Sequence, residues 1–231
     1  MNTEILGIIV MYAIVVLIAI PLGRYMGKVF SNHSTWLDAV FNPVDKVFYK
    51  LGGINTQKDM NWKQQLVALL VINLVWFLIA MFILTNMSWL PLNPDHNPSM
   101  SGDLAFNTAV SFITNTNLQH YSGETGLSYL GQLMLMLWQF ISAGTGIAIC
   151  AVVFTAMKER TLKTLGNFYS FFVRSCTRIL LPLALIVAFL LVLNEIPMTF
   201  EGKDTITTLE GRQQQISRGP VAAFVAIKQL G

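Results

Sequence analysis

Four uncharged polar residues in a row, Thr114, Asn115, Thr116 and Asn117, close an apolar run that begins at Asp103 and reads DLAFNTAVSFI. Main-chain carbonyls, hydroxyls and amides are neutral oxygen donors of the kind that replaces the water shell of a monovalent cation, whereas a ring of carboxylates attracts cations with little selection among them. No acid occurs from Ile113 to Gln119, so these residue types favour selective binding over simple attraction. The carbonyls of Ile113, Thr114, Asn115 and Thr116 are the expected ligands. The hydroxyls of Thr114 and Thr116 and the amides of Asn115 and Asn117 are expected to brace the loop by hydrogen bonds to neighbouring backbone.

The run that carries these residues is too short to cross a bilayer. At about 1.5 Å of rise per residue, a helix from Asp103 to Ile113 reaches about 16 Å into a hydrocarbon core about 30 Å thick. Ser101 is the expected N-cap and Asp103 places negative charge in the first turn, so the helix aims its partially negative C-terminal end at the Thr/Asn residues. Non-helical backbone at that depth is tolerated only where it is buried in protein or lines a wet cavity. On this stretch alone a second reading stays open: a short extracellular capping helix with Thr114 to Asn117 as its solvated turn.

The rest of the chain decides between them. Of 231 residues, 54% are hydrophobic and only 12% charged, against about a quarter charged in a soluble domain. This is the composition of an integral membrane protein, and the net charge of +3 gives no sign of a nucleic-acid partner. Cys150 and Cys176 share no metal-type spacing and form no disulfide framework. His33, His96 and His120 are isolated in sequence and receive no site.

In chain order, Ile5 to Ile20 is an apolar run expected to end at Pro21 and Gly23, with only Glu4 as a charge before it. It lacks the leading positive charge of a secretory signal and reads as a retained span with its N-terminus outside. Arg24, Lys28, Lys46, Lys50, Lys58 and Lys63 then mark a cytoplasmic segment. Within it Asn42 is the expected cap of a surface helix with Pro43 at its first position and Gly52 and Gly53 at its end. Its apolar face, Val44, Val47, Phe48 and Leu51, suits the membrane surface or a docking partner. Leu66 to Leu84 is a second span carrying one polar residue, Asn73. From Thr85 to Gly126 no Lys or Arg occurs, which places that segment outside. A third span follows from Leu127 to Met157, with Gln132, Gln139 and Ser142 in its path, and polar residues in a span face a bundle interior or a pore. After Lys158, Arg160, Lys163, Arg174 and Arg178, expected to lie in a cytoplasmic loop, comes a fourth span from Ile179 to Leu193 and a mixed-charge outer loop. The expected domains are 1–65, a first span with its interfacial segment; 66–157, a complete span, half-helix, span unit; and 158–231, the beginning of another.

The last stretch, PVAAFVAIKQLG, is the second copy of the short run. Placing Ala223 and Phe224 opposite Ala105 and Phe106 sets Gly231 opposite Ile113. Order and spacing thus repeat together: span, half-depth helix, polar turn, span. A ring filter needs about four such loops, so the chain is expected to be part of a longer one.

Four motifs carry a family resemblance: MNWKQ at Met60 to Gln64, LPLNP at Leu90 to Pro94, FNTAVSFITNTN at Phe106 to Asn117, and YSGET with LSY between Tyr121 and Tyr129. Together they resemble the KdpA family, the potassium-binding subunits of bacterial potassium-transporting P-type ATPases. The resemblance implies an all-α integral membrane fold of membrane-pore-membrane repeats, here incomplete, in the bacterial inner membrane. It implies that Thr114 to Asn117 is the first filter loop for K+, that Gln119 lies just outside it and that Gly231 opens the second. It further implies KdpB as the ATP-hydrolysing partner, with KdpC and KdpF completing the complex. In keeping with that division, the chain contains neither a GxxxxGK[ST] phosphate loop nor a DKTG signature. Two other classes stay open at this point: a Trk- or Ktr-like potassium channel subunit, against which these motifs and the extra first span argue, and a non-conducting membrane scaffold.

Overall fold

The computed structural model describes residues 3–158 and 163–230. Gly231 and Arg160 lie outside the described residues. The chain divides into two compact units, Met1–Ile54 and Asn55–Gly231.

The first unit holds two helices, α1 (Thr3–Phe30) and α2 (Asp38–Leu51). The expected stop at Pro21 does not occur, and α1 continues through it to Phe30. Proline removes one i to i−4 hydrogen bond, a loss that a long helix bonded on both sides of it can carry. Nor does α2 start at Asn42. Its first residue, Asp38, accepts hydrogen bonds from the Thr35 main-chain N–H (2.7 Å) and hydroxyl (3.0 Å), so the turn closes one winding earlier and Pro43 falls inside the helix. The expected end is where the glycines are: Gly53 takes φ +60, the left-handed conformation that glycine adopts without a Cβ penalty. Val44, Val47, Phe48 and Leu51 are all exposed.

The second unit is a packed helical bundle of α3 (Trp62–Thr85), α4 (Gly102–Ile113), the single turn α5 (Gly123–Gly126), α6 (Tyr129–Lys158), α7 (Phe168–Arg174), α8 (Leu181–Leu193) and α9 (Val221–Leu230). A capping box opens α3: the Asn61 side chain accepts from the Gln64 N–H at 3.0 Å and Gln64 Oε1 accepts from the Asn61 N–H at 2.9 Å. The fourth apolar run extends farther back than expected. The α7 helix starts after the Asn167 cap and passes through a π-helical stretch, Ser175–Leu180, directly into α8. Pro182 follows in the first turn of α8. It offers no N–H to the carbonyl four residues back and its ring crowds that carbonyl, and the preceding turn is the widened one. Arg174 and Arg178, expected in a loop, are therefore inside this helix, with Arg178 buried and donating to the Thr177 hydroxyl at 3.1 Å.

Among the described residues, four helices are long and apolar enough to cross a membrane: Glu4–Phe30, Trp62–Thr85, Tyr129–Lys158 and Phe168–Leu193. With the near absence of sheet, this is an all-α, multi-pass membrane architecture. The exception is an antiparallel hairpin in the mixed-charge loop, β1 (Asp204–Thr207) and β2 (Gln213–Ile216), in register Asp204 to Ile216 and Thr207 to Gln213. Its turn brings Gly211 to φ +79.

The core lies where α4 enters between α3 and α6. Ala80, Leu84, Ala105, Ala109, Leu135 and Trp138 are among the side chains buried there. In lipid, helices gain little from the hydrophobic effect on meeting one another, so small residues that admit close backbone approach carry the packing. Gly144 on α6 does the same toward the π stretch: a Cβ there would fall 2.6 Å from Cys176 Sγ and 3.1 Å from the Phe172 ring.

Candidate functional site

The α4 helix starts where α3 stops and runs back along it. The Met100 N–H donates to the Leu84 carbonyl at 3.0 Å, and Phe106 meets Phe77 edge to face with ring centroids 5.5 Å apart. At about 1.5 Å per residue α4 spans about 18 Å and α3 about 36 Å, so α4 ends roughly half-way along its neighbour. The same depth follows from α6, whose first residue is fixed to the same end by a 3.0 Å bond from its N–H to the Leu92 carbonyl. From Tyr129 to Gln139 the α6 axis rises about 15 Å, and there Gln139 reaches the residues that follow α4.

Those residues fold back on the last turn of the helix. Ser101 stands at the N-cap position, but its side chain makes no capping bond. At the other end the termination is a Schellman motif: the Thr116 N–H donates to the Ser111 carbonyl at 2.8 Å, the Asn115 N–H to the Phe112 carbonyl at 3.4 Å, and Asn115 takes φ +58. Asn and Asp are the residues besides glycine that tolerate this left-handed region. Asn117 repeats the conformation at φ +57. Its N–H also reaches the Ser111 carbonyl, at 3.2 Å, and the Leu118 N–H donates to Ser111 Oγ at 2.7 Å while that hydroxyl donates to the Leu118 carbonyl at 3.0 Å.

The polarity of the turn is therefore one-sided. Every N–H from Thr114 to Leu118 is committed to the last turn of α4. Among the described residues, no hydrogen bond ends on the carbonyls of Ile113, Thr114, Asn115, Thr116 or Asn117. Ile113, Asn115 and Asn117 are half-buried and Thr114 and Thr116 exposed, and an unbroken series of open acceptors after a helix C-terminus is a constellation suited to a cation.

The side chains tie to one another and to the helix. The Thr114 hydroxyl donates to the Val110 carbonyl at 2.8 Å, which leaves the Thr116 hydroxyl as donor in the 2.9 Å contact between them. Asn117 Nδ2 donates to Asn115 Oδ1 at 3.0 Å, and Gln139 Nε2 donates to Asn117 Oδ1 at 2.9 Å. Sequence reasoning placed Gln139 only as a polar residue inside a span and did not single out Ser111. In both cases the signal was a polar side chain interrupting an apolar run.

Gln119 sits beyond the turn, exposed, with Nε2 on the Tyr121 carbonyl at 3.3 Å. Tyr121 is largely packed away from solvent, and burial pushes its hydroxyl pKa up. Glu124 is bonded by the Ser122 hydroxyl, which holds its carboxyl below the usual range. Asp95 accepts the Lys203 N–H at 3.0 Å, so that acid is engaged with the hairpin loop. Gly231 lies outside the described residues.

The KdpA family, described as the potassium-transporting ATPase A subunit, matches residues 9–231. The chain is similar along its whole length to the potassium-transporting ATPase potassium-binding subunits of Flavobacterium psychrophilum (62% identical), Flavobacterium johnsoniae (59%) and Bacteroides thetaiotaomicron (54%). It covers 40%, 40% and 41% of those proteins respectively. The chain thus spans about two fifths of the length of the curated relatives it matches.

Proposed function

The chain belongs to the family of potassium-transporting ATPase A subunits, and from that premise we propose that the turn after α4 contributes to a potassium-selective filter of an ATP-driven uptake pump. The ligands are the carbonyls of Ile113, Thr114, Asn115, Thr116 and Asn117, which take over from water as the ion sheds its shell. The observation that carries this reading is the one-sided turn: its N–H groups are spent on α4 and its carbonyls are open. Neutral dipoles at the end of a helix attract a cation without the indiscriminate pull of a carboxylate. Gln119 lines the outer mouth, and Gly231 opens a second filter loop after α9.

In this reading residues 1–65 form a first span and an interfacial helix, 66–157 one membrane-pore-membrane repeat, and 158–231 the first part of the next. The N-terminus is outside the bacterial inner membrane, which puts the α3 to α4 loop and the hairpin at the outer face. ATP is hydrolysed by KdpB, with KdpC and KdpF in the same assembly, and this chain supplies the ion path.

The test uses the complete pump carrying this segment. Its thermal midpoint is measured in KCl and in NaCl at equal ionic strength. Ligand binding to the native state raises the midpoint by mass action, so KCl is expected to stabilise and NaCl is not. Equal midpoints in the two salts would assign the turn a packing role and remove the filter.

A further inference from the structure

We propose that Gln139 is the positioning residue of the filter turn, acting through a relay of side-chain amides. This inference rests on the filter reading above. Gln139 is fully buried about a third of the way along α6, in a stretch where Leu135, Trp138 and Ile141 are buried too. An amide in such a place is costly unless it is hydrogen-bonded. The other polar residues of the same stretch spend themselves on their own helix: the Ser142 hydroxyl donates to the Gln139 carbonyl at 3.0 Å and the Thr145 hydroxyl to the Ser142 carbonyl at 2.8 Å. Among the described α6 side chains, Gln139 is the one that hydrogen-bonds to the turn.

The relay has two links. Gln139 Nε2 donates to Asn117 Oδ1 at 2.9 Å, and Asn117 Nδ2 donates to Asn115 Oδ1 at 3.0 Å. Its two Asn members are the two left-handed residues of the turn, at φ +57 and +58. A side chain in the rigid wall of the bundle therefore holds, by directional bonds, the residues whose backbone angles aim the open carbonyls. Main-chain bonds to Ser111 keep the turn attached to α4, while the amide relay sets its distance from α6. Gln139 Oε1 is buried and accepts no hydrogen bond among the described residues, so the donor end of this amide is the one in use. Removing that donor leaves the turn attached but lets its carbonyls relax, which alters the fit to an ion before it alters the fold.

The experiment compares Gln139→Leu, which fills the space without a donor, and Gln139→Asn, which withdraws the amide by one methylene. Both are assayed in the assembled pump by cation-stimulated ATP hydrolysis, with K+ and with the larger Rb+. The expected result is an apparent KM for K+ raised about tenfold with the maximal rate at saturating K+ held within about twofold, and a smaller ratio of Rb+ to K+ KM. Where Gln139→Leu fails to assemble, Gln139→Asn decides. An assembled variant with unchanged KM and unchanged ion ratio overturns the proposal, as does a fall in maximal rate alone. Asn117→Ala is run beside them. If it shifts the ion ratio and neither Gln139 variant does, only the relay is refuted. If none of the three moves the ratio, the filter reading itself has failed.

Discussion

The helix α4 runs back along α3 and ends in a turn of Thr and Asn residues, while α9 packs beside α8 with the same alanine-based packing but a lysine, Lys228, in its last described turn. Both helices bury alanines completely, Ala105 and Ala109 in α4, Ala222 and Ala226 in α9. Both starts are bonded to chain near the preceding helix's exit: Met100, just before α4, to Leu84, and Ala222, in the first turn of α9, to Pro197. The contrast is electrostatic. The last turn of α4 carries no basic residue, whereas α9 places Lys228 at the position equivalent to Val110. A cation in the last turn of a helix compensates its dipole; α4 carries none there, whereas Lys228 stands in the last described turn of α9. Equal packing thus goes with unequal charge near the described ends of the two helices.

The strongest challenge to this contrast is a charge at the α4 side. Gln119→Arg sets a fixed cation at the proposed mouth, where repulsion of about 1 kcal/mol under water-like screening rises to about 4 kcal/mol at a lower effective dielectric. The apparent K+ affinity of the assembled pump should fall at least severalfold, and unchanged affinity would move Gln119 off the ion path. Next in size is the shared packing. Ala109→Leu and Ala226→Leu each insert methylenes where there is no room and should cost about 1–3 kcal/mol, seen as similar drops in thermal midpoint. A drop for only one of them would show that the two half-helices are not equivalent supports. A subtler probe is backbone conformation: Asn115→Ala in the left-handed region costs about 1–2 kcal/mol, whereas Asn115→Gly keeps the angle. K+ affinity should weaken for alanine and be largely retained for glycine. The smallest effect belongs to the hairpin loop before α9. Arg218 pairs with Glu201 at 2.9 Å and Asp204 at 3.3 Å with all three partly exposed, so Arg218→Ala should change stability by no more than about 1 kcal/mol and less at high salt.

The half-depth helix was legible because length alone excludes a crossing: Asp103 to Ile113 is too short, and its neighbours Leu66 to Leu84 and Leu127 to Met157 are long enough. The second short apolar run was legible for a similar reason: Val221–Leu230 is a ten-residue helix, again too short to cross. Element ends were read less well wherever a proline or a charge was taken as punctuation. Pro21 and Pro43 sit inside continuous helix, and Arg174 and Arg178 lie in the span they were expected to precede. In an apolar setting the rest of the ladder outweighs one missing bond, and long Arg stems can lie along apolar surface while their heads find partners. The β1–β2 hairpin was invisible because its strands are four residues each and wholly exposed, with no buried alternation to read.

What the sequence by itself determined was the class of the molecule, the depth to which each apolar run can reach and the absence of charge around the Thr/Asn turn, because these follow from length, hydropathy and residue type. Only the tertiary structure decided which way the turn's polar groups face and that Gln139 holds Asn117. Backbone handedness and a bond between residues on separate helices depend on how close α4 and α6 pack, and that distance is set by the small side chains between them.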